Sequence, residues 1–227
     1  MSTPLLETIE IVSAPNPTAA VIWLHGLGAD GNDFAPIVPE LRLDGAPAIR
    51  FIFPHAPMMP VTINNGHVMR AWYDVSFGDL EGATRRADEQ GVRASQAAIE
   101  QLLARENARG VAAKNIVIAG FSQGGAIALQ TGLRYPEPLA GIMALSTYLP
   151  LADSLATEAA AANKDVPIFY AHGTHDPVIA LAMATASRDK LAKSGYAVAW
   201  HEYPMQHSVC AEEIAAISAW LQEVLGA

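Results

Sequence analysis

Cysteine is almost missing from this chain. A single one, Cys210, stands among 227 residues, so no internal disulfide can form. Positive charge is scarce as well. Fourteen Lys and Arg face 23 Asp and Glu, a formal charge of −9. An acidic surface disfavours nucleic acid and anionic membranes as partners. No run of the ~18 residues of a membrane span is apolar throughout, which argues against stable membrane insertion. The opening "MSTPLLETIEIV" has no basic segment leading into an apolar one, so the expected location is cytoplasmic. Repeats and low-complexity tracts are absent too. With 51% hydrophobic residues, the expectation is one domain over residues 1–227.

What is present is alternation. Short apolar runs at Ala19 to His25, Ile49 to Pro54, Asn115 to Gly120, Leu139 to Ser146, Val166 to Gly173 and Tyr196 to Tyr203 read as strands covered on both faces. Helical patterns separate them: Thr84 to Asn107, Gly124 to Arg134, Leu181 to Lys193 and Ala211 to Leu225. The order strand, helix, strand predicts an α/β fold with a mostly parallel central sheet and helices on both faces. "LETIEIV" fits an antiparallel edge strand. From Pro54 to Gly82 the rhythm breaks. There "VTINNGHVMRAWYD" suggests a small hairpin turning at Asn65-Gly66, in an insertion that overhangs the site.

One serine is boxed in by small residues. Gly120-Phe121-Ser122-Gln123-Gly124 is a G-x-S-x-G pattern between a strand and a helix. That setting predicts a sharp turn lifting the hydroxyl above the sheet. Glycines on either side let neighbouring backbone pass close by. A serine hydroxyl needs a base, and the base needs an orienting acid. With this elbow both follow in the chain, acid first. Asp176 lies in the loop directly after a strand, whereas Asp165 precedes that strand and Asp189 falls within a helix. His207 lies in the loop before the last helix. His201 falls within a strand, and His175 adjoins the acid. The predicted triad is Ser122, Asp176 and His207. Two backbone N–H groups should form the oxyanion hole: Gln123, after the nucleophile, and Leu27, in the glycine-rich loop "LHGLGADG". His172 and His175 lack a matching third metal ligand, and this chemistry requires no metal or other cofactor. Cys210, at the start of a helical pattern, reads as a buried small apolar residue.

"LHGLG" followed by "GFSQGG", "HGTHDPV" and "YPMQHS" resembles the phospholipase/carboxylesterase group of α/β-hydrolases, which includes acyl-protein thioesterases. The likeness runs from about Val21 to the C-terminal helix. It implies the α/β-hydrolase fold, the same five residues in the same roles, and a serine hydrolase working through an acyl-enzyme. Its substrate would be a small-molecule ester or thioester with a short to medium acyl chain. "RAWYD" (Arg70 to Asp74) resembles the segment that this family folds over its acyl groove, so Trp72 is expected to touch substrate. Met58, Met59 and Val61 are further candidates for the acyl wall. Lysophospholipase activity, or a non-catalytic binder on the same fold, are the alternatives. The resemblance also leaves room for a homodimer.

Overall fold

The computed structural model describes residues 5–76 and 88–226. Among these residues nine strands form two sheets. β1 (Thr8–Val12), β2 (Ala19–Leu24), β3 (Ile49–Pro54), β6 (Ile116–Phe121), β7 (Gly141–Leu145), β8 (Ile168–Gly173) and β9 (Val198–Tyr203) make a seven-stranded sheet of order β1-β3-β2-β6-β7-β8-β9. All its pairings are parallel except β1 with β3. The expected edge strand is therefore present and antiparallel.

Why these runs are apolar throughout is visible in β2. All six residues are buried. Ala20, Ile22 and Leu24 join one core, and Ala19, Val21 and Trp23 join the other. A strand's side chains alternate between faces, so covering both faces demands apolar residues at every position. The first core is closed by α1 (Glu89–Ala108), α2 (Gln123–Gly132) and α4 (Leu181–Lys193). The second is closed by α5 (Ala211–Gly226) and a 3-10 turn at Ala35–Glu40. A short α3 (Leu155–Glu158) was not signalled by any periodicity, being a single turn. No helix among the described residues is long and apolar enough to cross a membrane.

Two expected boundaries differ. The first helix was expected from Thr84, but residues 84–87 lie outside the described ones. As described, α1 begins after Asp88, whose carboxylate accepts from the Gly91 amide at 2.9 Å. The hairpin exists, yet its strands are β4 (Met58–Val61) and β5 (His67–Arg70). "VTIN" is not its first arm. Thr62 leaves the ladder because its amide and hydroxyl both bind the Asp74 carboxylate, at 2.7 and 2.5 Å. A 3-10 turn follows, and then Asn65 and Gly66, both at positive φ.

The sheet order places the site. From β2 the chain moves one way, to β3. From β6 it moves the other way, through β7, β8 and β9. Loops leaving β2 and β6 therefore part at one crevice, the usual binding edge of such sheets.

Candidate active site

Ser122 sits at the tip of β6 with φ 55° and ψ −122°. A non-glycine residue avoids this region, so the surroundings must hold it there. They do. The Ser122 amide donates to Leu145 O at 2.9 Å, and its carbonyl accepts from Thr147 Oγ1 at 2.6 Å. A β-carbon on Gly120 would stand 2.3 Å from the backbone of Gly124. The box of small residues thus exists because the strand and the helix it feeds nearly touch.

His207, from the loop after β9, reaches back across 85 positions. Its Nε2 lies 2.9 Å from Ser122 Oγ, and its Nδ1 lies 2.7 Å from Asp176 Oδ2. A carboxylate only accepts, so Nδ1 carries the proton and Nε2 faces the serine as an acceptor. Asp176 is itself held. Its Oδ1 accepts from the amides of Val178 and Ile179, at 2.8 and 2.9 Å. The two loops are fastened together: Thr174 and His175 donate to Tyr203 O and Met205 O. A β-carbon on Gly173 would meet Gln206 O at 2.3 Å. Phe121 packs against the His207 ring at 4.7 Å.

The two rejected candidates for the base, His201 and His175, stand elsewhere. His201 stacks on Phe169, and the His175 ring lies beside Thr174 Oγ1. His25 is buried, which pushes its pKa down to about 4. Ala56 donates its amide to His25 Nε2, so Nδ1–H donates to Gly26 O at 2.7 Å. That bond pins the peptide joining Gly26 to Leu27. In a trans peptide, C=O and N–H point in opposite directions, so the Leu27 N–H turns away from His25. Among the described residues neither the Leu27 nor the Gln123 amide is donated to another group. Gln123 opens α2, whose first N–H groups lack partners within the helix and favour negative charge.

Beside Ser122 lies a cavity of about 230 Å³. Its walls are mostly apolar: Leu27, Ile63, Val75, Val178 and Ile179, with Tyr73 and Tyr148. The two tyrosine hydroxyls lie 2.8 Å apart. Trp72 is not in this wall. It is 2% exposed, and its indole N–H donates to His25 O at 2.9 Å. Met58, Met59 and Val61 are not in the wall either. Met58 is exposed on the hairpin, and Val61 is fully buried. The side chain that faces the cavity is the next one along, Tyr73. The Gln123 side chain explains how this segment is held. Its Oε1 accepts from the Trp72 amide at 2.9 Å, and its Nε2 donates to Tyr73 O at 2.7 Å. Nothing in the sequence pointed to that clamp, which joins residues 50 positions apart. Cys210 is half-buried rather than enclosed. The described residues hold no cluster of three metal-ligating side chains.

A family model described as Phospholipase/Carboxylesterase matches residues 6–225. The chain belongs to the phospholipase/carboxylesterase family. Among relatives of this family member, an acyl-protein thioesterase 1 from Neurospora crassa is 44% identical over 217 residues, covering 92% of this chain and 87% of the relative. One from Cryptococcus neoformans is 36% identical, covering 97% and 98%. Among solved structures, Arabidopsis thaliana SOBER1 superposes with a TM-score of 0.84 at 32% identity, over 91% of this chain and 99% of that one. The expected α/β-hydrolase fold is thus present, and this phospholipase/carboxylesterase family member is a hydrolase.

Proposed function

We propose that this chain cleaves acyl esters or thioesters through Ser122, His207 and Asp176. The observation that carries the reading is the unbroken relay of 2.9 and 2.7 Å from hydroxyl through imidazole to carboxylate. His207 Nε2 takes the Ser122 proton as Oγ attacks the carbonyl carbon. The oxygen's growing charge is met by the N–H groups of Leu27 and Gln123, each worth about 2.7–4 kcal/mol of barrier. His207 then passes the proton to the leaving oxygen or sulfur, and an acyl-Ser122 ester remains. Water, deprotonated by the same nitrogen, releases the acid and restores the hydroxyl.

The acyl group would lie in the apolar cavity between Leu27, Ile63, Tyr73, Tyr148 and Ile179. Its modest size supports short to medium chains. Trp72 would act from behind, holding the His25 carbonyl and the segment that presents Tyr73. The acyl-protein thioesterase relatives favour thioesters among the substrates. The acidic net charge and the lone cysteine support a reducing, cytoplasmic setting.

A panel of p-nitrophenyl esters and acyl thioesters of increasing length tests this beside Ser122→Ala. Turnover of both leaving atoms that is lost in the variant is expected. Binding without turnover by the wild-type chain would instead make it a ligand-binding protein.

A further inference from the structure

His172 is a second imidazole at the acid, and the relay does not use it. It is the last residue but one of β8, is fully buried, and lies four positions before Asp176. Its Nε2 is 2.9 Å from Ile179 O and 3.5 Å from Asp176 Oδ2. A carbonyl oxygen only accepts, so Nε2 carries the proton. Nδ1 is then left as a bare acceptor, and it has no partner among the described residues. Burial depresses the pKa of this ring, in keeping with a neutral imidazole.

An unpaired buried nitrogen is costly, and an apolar side chain of similar size would avoid that cost. What the histidine supplies and an apolar ring would not is an N–H bonded to one oxygen with a second oxygen 3.5 Å from the same nitrogen. One, Ile179 O, belongs to a residue of the cavity wall. The other, Asp176 Oδ2, is the oxygen that receives His207 Nδ1–H. Ile179 also donates its amide to the other carboxylate oxygen, Oδ1. The turn from Asp176 to Ile179 is therefore gripped from inside at its far end.

We infer that His172 is a positioning residue that locks the Asp176–Ile179 turn, and through it fixes the carboxylate on His207 while holding one wall of the acyl cavity. The inference rests on the proposed roles of Asp176 and His207. Its chemistry is a single neutral N–H donor. No proton leaves His172 during turnover.

The test pairs His172→Phe, which keeps ring volume and loses the donor, with His172→Gln, whose amide can restore an N–H near the same point. In the Phe variant kcat should fall about tenfold or more, the scale of losing an outer hydrogen bond to a site group. KM should change less than kcat, because Ile179 stays tied to Asp176 Oδ1 through its own amide. The low-field proton resonance of the His207 Nδ1–H to Asp176 bond should move or vanish. His172→Gln should recover both signals. A folded Phe variant with wild-type kcat and an unmoved resonance would overturn the inference. So would equal losses in both variants with the resonance intact, which would mean packing alone. Should the Phe variant fail to fold, nitrogen-15 histidine spectra of the wild-type chain decide. His172 must carry its proton on Nε2, and an Nδ1–H form refutes the role. The resonance arms use no substrate, so they separate failure of this inference from failure of the ester-cleaving reading.

Discussion

The carbonyl oxygen of His25 lies where it would be 2.5 Å from a β-carbon on Gly124, and Leu24 O would be equally close. The loop after β2 and the start of α2 are thus in backbone contact. Only a residue without a side chain allows this. Both obstructing atoms are main chain and cannot rotate away. Gly124→Ala should therefore force the loop and helix apart, costing about 3 kcal/mol or more of stability, a size reserved for buried strain. Chemical denaturation measures it. Wild-type stability with full activity would mean the two segments are looser than described.

Ser122 holds a backbone conformation that glycine adopts freely and other residues resist, a strain of order 1–3 kcal/mol. Ser122→Ala keeps the strain and removes the hydroxyl. Ser122→Gly removes both. Neither should turn over substrate, but the glycine variant should melt higher than the alanine variant. Calorimetry on the pair reads the difference, and equal melting points would show that the turn stores no strain.

Gln123 ties the Trp72–Tyr73 segment to the start of α2 with both ends of its amide. Gln123→Leu takes the acceptor from the buried Trp72 amide, at about 1–3 kcal/mol, and removes one donor from Tyr73 O. The oxyanion donor is backbone and survives the change. We expect kcat/KM to fall about tenfold through misplacement of the Tyr73 wall, with the larger loss on longer acyl chains. A uniform loss across chain lengths would place the effect at the reacting carbonyl instead.

Glu213, fully buried in the first turn of α5, is a carboxyl whose pKa burial pushes up to about 8. Between the ordinary value near 4.5 and that raised one, the folded chain holds a proton that the unfolded chain has released. Stability must then decline as pH rises across this window, by up to about 1.4 kcal/mol per pH unit. The contribution is complete below pH about 4.5 and gone above pH about 8. Glu213→Gln, which cannot ionise, should remove that slope. Urea midpoints from pH 5 to 8 check it, and parallel slopes in both chains would contradict the buried charge.

Much of this was legible before any coordinates. Strands such as β2 and β8 declare themselves because both of their faces are buried, which leaves no polar position to blur the pattern. Ser122, Asp176 and His207 could be singled out by chain order and by loops leaving one sheet edge. The hairpin's register was not legible, because the Thr62–Asp74 bonds that displace it link residues twelve apart. The cavity wall was misjudged for a similar reason. The chain bends at Trp72 and Tyr73, which sends the Trp72 indole to the His25 carbonyl and leaves Tyr73 lining the cavity. Which of the two does so depends on the Gln123 clamp, and a single glutamine in a helix gives no sign of its distant partners.

The most direct measurement is active-site labelling. A fluorophosphonate phosphonylates a serine activated by an adjacent base, with fluoride as the leaving group. Incubated with the chain and read by peptide mass spectrometry, it should leave one adduct, on Ser122, absent from Ser122→Ala and strongly slowed in His207→Ala. An unlabelled Ser122 in folded protein, or an adduct on another residue, would contradict the account.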